Sequence, residues 1–470
     1  MSATRRSPAR PPVAVYAFGA LAELLFGYDT GVIGVAMLSI KKQWAMGTGL
    51  QGFLVSSLLL GAAAGVCVAG RLADRWGRRA VISGTGVVFV VGGLGACLSA
   101  GPWTLVAFRF VMGLGVGASA SVVSVYLVEV APTRHRGAVG GLGQLMVVLG
   151  IMLSFAVGYG LQPYGAWRWM FGLSIVPALV LSLGAVLLPE TPRWLLLRGR
   201  TGQARDSLTR LGRGADADAE LAEIAAAVRT DAAALSTLSV LRVMTGRRTR
   251  RALVSAAGLA VLAQFVGTNA IIYFAPSTLV RAGFGDDAAV AANLAVGTAN
   301  ITFTLIGLAL VDRVGRRPML MAGAVAMGTA MAFLGTFTAL ASPSAATAWT
   351  TLACMIVFLA SFAATWGACV RVVVSELFPS SIRGSAVGTV LMLGWLANFT
   401  VSQSFPSLLE SDPAPCFFLF AAVGILALLF VWKVVPETGG GRALEEISGE
   451  AAMVPRGPAD ADSVTPAVIQ

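Results

Sequence analysis

Four charged residues lie inside stretches apolar enough to sit within a membrane: Glu23, Asp29, Arg109 and Arg371. An ionised side chain at the bilayer centre costs about 2.5–3.5 kcal/mol on insertion scales, so such residues are paired or functional by default. Two kinds of chemistry are open to them. A carboxylate beside an arginine is held ionised, and it takes a proton once the arginine withdraws and desolvation dominates. A guanidinium without a partner recognises a carboxylate or phosphate through a two-pronged fork. Arg109 has a second reading as a span-end residue that snorkels to the water layer, since Trp103 nearby looks interfacial. For Arg371 three arrangements stay open. It pairs with Glu23 across a cavity, it binds an anionic or zwitterionic substrate that displaces Glu23, or it turns to the inner water layer and touches nothing. Glu23 precedes Asp29 by six residues, about 9 Å along a helix.

A second set of charges stands at the ends of the apolar stretches, and it recurs. Asp74 and Arg75 in RLADRWGRR return as Asp312 and Arg313 in DRVGRR, 238 positions on. Glu129 and Arg136 in YLVEVAPTRHRG return 247 positions on as Glu376 and Arg383 in VVSELFPSSIRG. Glu190 in PETPRW returns at the same offset as Glu437 in PETGG. Three markers in one order at nearly one offset mean a membrane unit present twice, an architecture typical of transporters. Taken singly, Glu129, Arg136, Glu376 and Arg383 read as solvated caps or local ion pairs; their twofold repetition suits pairing between the halves.

The elements that must position these residues follow from composition. The chain is 56% hydrophobic and 12% charged, against roughly 25% charged in a soluble domain. Twelve apolar segments of spanning length, about 20 residues each, fall near 13–36, 50–70, 80–100, 102–127, 137–160, 168–188, 252–279, 288–311, 318–340, 348–375, 385–408 and 415–435. Segment 190–251 is polar and shows short amphipathic helices, apolar at spacings of three and four. The expected fold is therefore an all-α membrane protein: twelve transmembrane helices as two six-helix bundles, 13–189 and 252–435. A small helical linker, 190–251, joins them, with tails at 1–12 and 436–470. Arginines crowd the loops on one side, while Lys41, Lys42, Arg168 and Arg281 fall on the other. The positive-inside rule then puts both termini in the cytoplasm. The net charge of +11 reads as topology and not as a nucleic-acid surface.

Other chemistry is excluded. The apolar run after TRRSPARPP contains Glu23 and Asp29 and continues as a full span, so it reads as an anchor and not as a cleaved signal. The five cysteines have no paired spacing and there is one histidine, His135, so no disulfide framework, metal cluster or histidine triad is expected. Gly113, Gly115 and Gly117 spell GxGxG, but a dinucleotide loop needs a strand and a soluble helix around it. Here the small residues let helices approach closely. Neither an enzyme nor a cofactor is expected.

With FGYDTGVI at 26–33, GRLADRWGRR at 70–79, RFVMGLGVG at 109–117, PETPRW at 189–194, QFVGTN at 264–269 and SELFPSSIRG at 375–384, the chain resembles the sugar porter family of the major facilitator superfamily. The resemblance covers roughly residues 13–440. It implies alternating access to a central cavity walled mainly by helices 1, 4, 7 and 10. It implies Asp29 and Arg109 as the proton-coupling pair, since uniporters of the family usually carry an uncharged residue at the aspartate position. Substrate-site positions carried over are Phe26, Gln144, Gln264, Asn269, Tyr273, Gly367, Trp395 and Asn398. Glu129 with Arg383 and Glu376 with Arg136 are implied as cross-half gates; Asp74 and Asp312, with Arg75 and Arg313, are expected to lock neighbouring helices within each half, and Glu190 is counted with these gating residues. The chain also departs from the family: Ile151, Ala263 and Gly394 stand where glutamines are usual, and Arg371 replaces a stacking tryptophan. The expectation is proton-coupled symport of a sugar or polyol across the plasma membrane. The alternative is a proton-coupled carrier or exporter of a non-sugar, anionic metabolite. A non-transporting nutrient receptor is disfavoured by the short, low-complexity tail. The implied partners are a small-molecule substrate, the proton and the lipid bilayer, with no nucleic acid.

Overall fold

An apolar segment in a solvent that offers no hydrogen bonds must satisfy every backbone N–H and C=O within itself, which for a single crossing means a helix. The computed structural model of the chain is helical throughout and has no strand among the described residues. Those residues are 13–130, 136–213, 217–234, 247–342, 344–378 and 380–438; side chains are described for them except at 13, 14, 17, 19, 136–140, 227–234, 247–249, 312 and 380–385. The first half comprises α1 (Val13–Gln43), α2 (Thr48–Trp76), α3 (Arg78–Cys97), α4 (Pro102–Val130), α5 (Arg136–Leu161) and a sixth column made of α6 (Trp167–Gly172) and α7 (Ile175–Ala185). Three short helices follow, α8 (Pro192–Leu197), α9 (Thr201–Arg210) and α10 (Ala217–Ala234). The second half comprises α11 (Arg247–Phe265), α12 (Thr268–Ala282), α13 (Asp286–Val314), α14 (Arg316–Leu340), α15 (Ala345–Ala364), α16 (Trp366–Glu376), α17 (Ser380–Ser411) and α18 (Pro413–Val434). Pairs α11–α12 and α15–α16 are each one column broken in the middle.

Eleven columns are long and apolar enough to cross a bilayer. The twelfth, α17, is 32 residues long but more polar. It runs beside α2, where Gln403 accepts from Ser56 Oγ at 2.9 Å and donates to the Gly49 carbonyl at 3.0 Å. Its Asn398 and Ser402 are buried in the bundle. Outside, Leu183, Leu187, Phe333, Ile425 and Leu426 are more than half exposed, a surface suited to lipid and not to water. Trp103, Trp169 and Trp349 near one end, and Trp76 and Trp432 near the other, form the interfacial belts.

Small residues set the close approach of α2 and α4. A Cβ on Gly113 would lie 2.0 Å from the Leu58 carbonyl oxygen, and one on Gly117 1.9 Å from that of Ala62. This GxGxG is a packing surface, as read from sequence.

The charged repeat has a shared local geometry. Gly77 turns the chain between α2 and α3 at φ +97°, and Gly315 turns it between α13 and α14 at φ +94°. Each turn exposes the first N–H groups of the next helix, where the helix dipole favours an anion. Glu190 accepts from the N–H groups of Arg78 at 3.1 Å, Arg79 at 3.2 Å and Thr191 at 2.9 Å. Glu437 accepts from Arg316 and Arg317, both at 3.1 Å. Burial pushes the Glu190 carboxyl above the usual carboxylate range, against the pull of those donors.

The linker helices have a core of their own in Trp194, Leu195, Ala204, Leu208, Ala217 and Leu221. They dock on the first half by long donors to helix-end carbonyls. Trp194 Nε1 reaches Asp74 O at 2.9 Å, Arg198 reaches Asp74 O at 2.8 Å and Arg75 O at 2.9 Å, and Arg213 reaches Val130 O at 2.9 Å. This linker marks the basic end of the bundle; the opposite end is called the far end below.

Candidate functional site

Asp29 on α1 and Arg109 on α4 are both completely buried, so Arg109 does not snorkel. Its Nη1 lies 3.2 Å from Asp29 Oδ1. Its Nε donates to the Leu54 carbonyl at 2.8 Å and its Nη2 to that of Val55 at 3.3 Å, both on α2. The Phe171 ring lies 5.9 Å from the guanidinium carbon. The guanidinium is held from three directions, whereas Asp29 Oδ2 accepts nothing. The expectation that the arginine withdraws therefore meets an obstacle: the carboxylate is the less restrained partner.

Two helix breaks place the second-half side of the cavity. Between α11 and α12, Gly267 adopts φ +92°, and a Cβ there would meet the Phe420 ring at 2.5 Å. Gln264 and Asn269 flank this break, with Asn269 Nδ2 donating to Gln264 Oε1 at 2.9 Å. Between α15 and α16, Thr365 leaves helical geometry at φ −123°, ψ −79°, and its hydroxyl donates to the Ser361 carbonyl at 2.6 Å. Gly367 and Arg371 follow on α16. Breaks of this kind at membrane depth are tolerated where they line a cavity or are buried in protein.

Across from these, α1 and α5 supply the other wall. Gln144 Nε2 lies 3.7 Å from where a Cβ on Gly367 would sit. Phe26 meets Trp395 of α17 edge to face, centroids 5.3 Å apart. Trp395 Nε1 has no hydrogen-bond partner, which leaves a donor waiting for a polar ligand, while the buried Tyr273 hydroxyl has Thr30 and Asn398 beside it. Glu23, one helical turn before Phe26, is 3% exposed, and its Oε2 lies 3.7 Å from Nη1 of Arg371, itself 47% exposed. Of the three arrangements open in sequence, the structure has the cross-cavity pair, but a loose one.

The far end is shut. Lys42 Nζ meets Asp286 Oδ2 at 2.6 Å, Gln403 ties α17 to α2 as above, and a Cβ on Gly34 would lie 2.6 Å from the Tyr273 carbonyl. Each of these contacts joins one half to the other. At the basic end the described ion pairs stay within a half: Arg78 with Glu129 at 3.4 Å and with Asp74 at 3.2 Å, and Arg316 with Glu376 at 3.3 Å. Arg75 and Arg313 are exposed. The side chains of Arg136, Asp312 and Arg383 lie outside the described residues.

Sequence reasoning missed one polar face. Asn293, Asn300 and Thr304 on α13 are buried, and both amide atoms of Asn293 and the hydroxyl of Thr304 lack partners. Their spacing of seven and four residues puts them on one helix face, a signal a search restricted to charges passes over. The Leu54 and Val55 carbonyls that hold Arg109 carry no residue-type signal at all.

A duplicated bundle of helices, its halves tied together at one end and a completely buried acid–base pair inside, has the major facilitator fold of a membrane transporter and not of an enzyme. The family described as "Sugar (and other) transporter" matches residues 15–450, and the chain belongs to that family. It is 37% identical over 439 residues to a D-xylose transporter of Levilactobacillus brevis, covering 92% of this chain and 94% of that one. Its fold matches the xylose transporter XylE from E. coli in a partially occluded inward-open conformation with a TM-score of 0.80 at 28% identity, covering 92% and 99% of the two chains. It also matches the proton:xylose symporter XylE bound to 6-bromo-6-deoxy-D-glucose with a TM-score of 0.77 at 29% identity, covering 93% and 98%.

Proposed function

We propose that the protein is a secondary carrier that exposes its central cavity alternately to the two sides of the cell membrane and moves a sugar or polyol together with a proton. The observation that carries this reading is the wholly buried Asp29–Arg109 pair, with one carboxylate oxygen free, beside a cavity of amides and an indole. The arginine is anchored, so coupling works through the aspartate. Ionised, it stays on Arg109; protonated, it is neutral and free to leave, and the balance between the two cavity states changes with it. Gln144, Gln264, Asn269, Tyr273, Trp395 and Asn398 offer the donors and acceptors that sugar hydroxyls need, while Phe26 and Gly367 shape the cavity.

In this reading the basic end is cytoplasmic, as its arginines require, and the structure is the inward-facing state. Closure of that end exchanges partners: Glu129 leaves Arg78 for Arg383, and Glu376 leaves Arg316 for Arg136. Asp74, Arg75, Asp312 and Arg313 act within their own halves at the same end, and Glu190 holds the start of α3 and the linker together.

The test is external pH in lightly buffered, de-energised cells expressing the protein, after pulses of pentoses, hexoses, polyols and sugar acids. Alkalinisation on adding substrate, abolished in Asp29→Asn while substrate exchange continues, is expected. Uptake without any proton movement in the unaltered protein would remove Asp29 from the mechanism.

A further inference from the structure

Glu23 and Arg371 are a second acid–base pair within the membrane, and it is built differently from the first. It straddles the two halves, from α1 to α16. Its separation of 3.7 Å is beyond hydrogen-bonding distance. The Glu23 side chain is 97% buried while the Arg371 side chain is nearly half exposed. Among the described residues no protein group hydrogen-bonds to that guanidinium, which carries five N–H donors in a fixed fork. The pair sits against the rest of the cavity: Glu23 Cγ lies 3.7 Å from where a Cβ on Gly143 would be, and the next residue, Gln144, faces Gly367 one turn before Arg371.

We propose that Arg371 is the specificity-determining residue of the cavity and that the carrier's substrate class is the sugar acids, polyhydroxylated compounds with one carboxylate. This rests on the reading of the cavity as a transport site and places its preferred substrate among the acidic derivatives of sugars and polyols. The substrate carboxylate takes the Arg371 fork in a bidentate contact and displaces Glu23, while the amides and the Trp395 N–H take hydroxyls. Glu23 and Arg371 together carry no net charge. An added carboxylate would leave one uncompensated negative charge in a low-dielectric cavity, so Glu23 takes a proton from the water at the open end onto its displaced oxygen. The charged group against Glu23 is Arg371 from α16; α5 presents Gly143 there, and the Asp29–Arg109 pair lies six residues further along α1, about 9 Å away. A phosphate dianion does not fit this balance, because one released acid neutralises one charge.

The test uses the whole protein in proteoliposomes, with D-glucuronate, D-gluconate and D-xylose as probes on the acid and alkaline sides of neutrality. The unaltered protein takes up at least one acid in preference to D-xylose, more strongly at acid pH. In Arg371→Gln the affinity ratio of acid to neutral sugar falls about 100-fold, as loss of a bidentate charge-assisted contact requires. Arg371→Lys, which keeps the charge and loses the fork, retains part of that ratio. In Glu23→Gln the ratio of acid to D-xylose affinity no longer depends on pH, because the dependence that Asp29 gives to both substrates cancels in the ratio. Transport of D-xylose with no binding of either acid overturns the inference and leaves the transport reading standing. Acid binding that survives Arg371→Gln at full strength also overturns it. Failure of a folded protein to move any neutral or acidic sugar overturns the transport reading and the inference with it.

Discussion

Arg109 cannot shed its charge, and Asp29 can. That difference decides what removing either partner does. Asp29→Asn leaves a permanent cation at a completely buried position with only the Leu54 and Val55 carbonyls to hold it. Breaking a buried pair in this way costs about 3–5 kcal/mol. Arg109→Gln leaves a carboxylate that neutralises itself by taking a proton, so its cost is smaller. The double variant recovers much of the loss. Thermal melting of the four proteins in detergent should rank them unaltered, double, Arg109→Gln, Asp29→Asn. Equal losses in the two single variants would mean that the pair contributes packing alone. The same logic explains why Glu23–Arg371 can be loose: the Arg371 side chain is nearly half exposed.

At the scale of elements, the breaks in α11–α12 and α15–α16 give the second half its binding wall, since an unbroken helix would carry Gln264 and Asn269, or Gly367 and Arg371, in different directions. Gly267 holds a left-handed conformation against the Phe420 ring. Gly267→Ala meets both obstacles, backbone strain of about 1–3 kcal/mol and an overlap with an aromatic ring. A lower melting temperature and weakened substrate binding are expected together, read by thermal unfolding and by equilibrium binding on the same preparation. Unchanged binding in a destabilised Gly267→Ala would separate the break from the site. The turns at Gly77 and Gly315 are a different device. There a half-buried glutamate takes the helix-start N–H groups and fixes the end of one column to the chain that leaves another.

For the whole molecule, the question is which end is open. The ties at the far end are modest individually: an exposed ion pair such as Lys42–Asp286 contributes about 0–1 kcal/mol, and a hydrogen bond such as those of Gln403 about 0.5–1.5 kcal/mol. A carrier needs its two states close in energy, so small ties suffice to choose. Gln403→Leu removes two hydrogen bonds between the halves and should raise the outward-facing population by about tenfold. Asp286→Ala should do so by no more than about fivefold. Distance distributions between spin labels at the far-end positions Gly47 and Ser411 would show it. A distribution unmoved in Gln403→Leu would mean that closure of the far end is set by helix packing and not by these polar ties.

What the sequence determined on its own is the class of object and its duplication. Lipid admits few backbone structures, so apolar runs of spanning length could only be helices, and Asp74–Asp312, Glu129–Glu376 and Glu190–Glu437 recur because the same helix ends recur. Charges such as Glu23, Asp29, Arg109 and Arg371 stood out because an apolar run gives them no innocent surroundings. The tertiary structure alone decided their partners. Arg109 is held by the Leu54 and Val55 carbonyls, which every residue type carries, so no pattern of side chains could announce them. Glu23 and Arg371 are 348 positions apart, and only the packing of α1 against the second half brings them within 3.7 Å. The uncharged face of Asn293, Asn300 and Thr304 was legible in spacing but weak in chemistry, since single amides and hydroxyls are common in membrane helices. The open end belongs to the fold as well, because it depends on small differences between contacts that a sequence does not order in space.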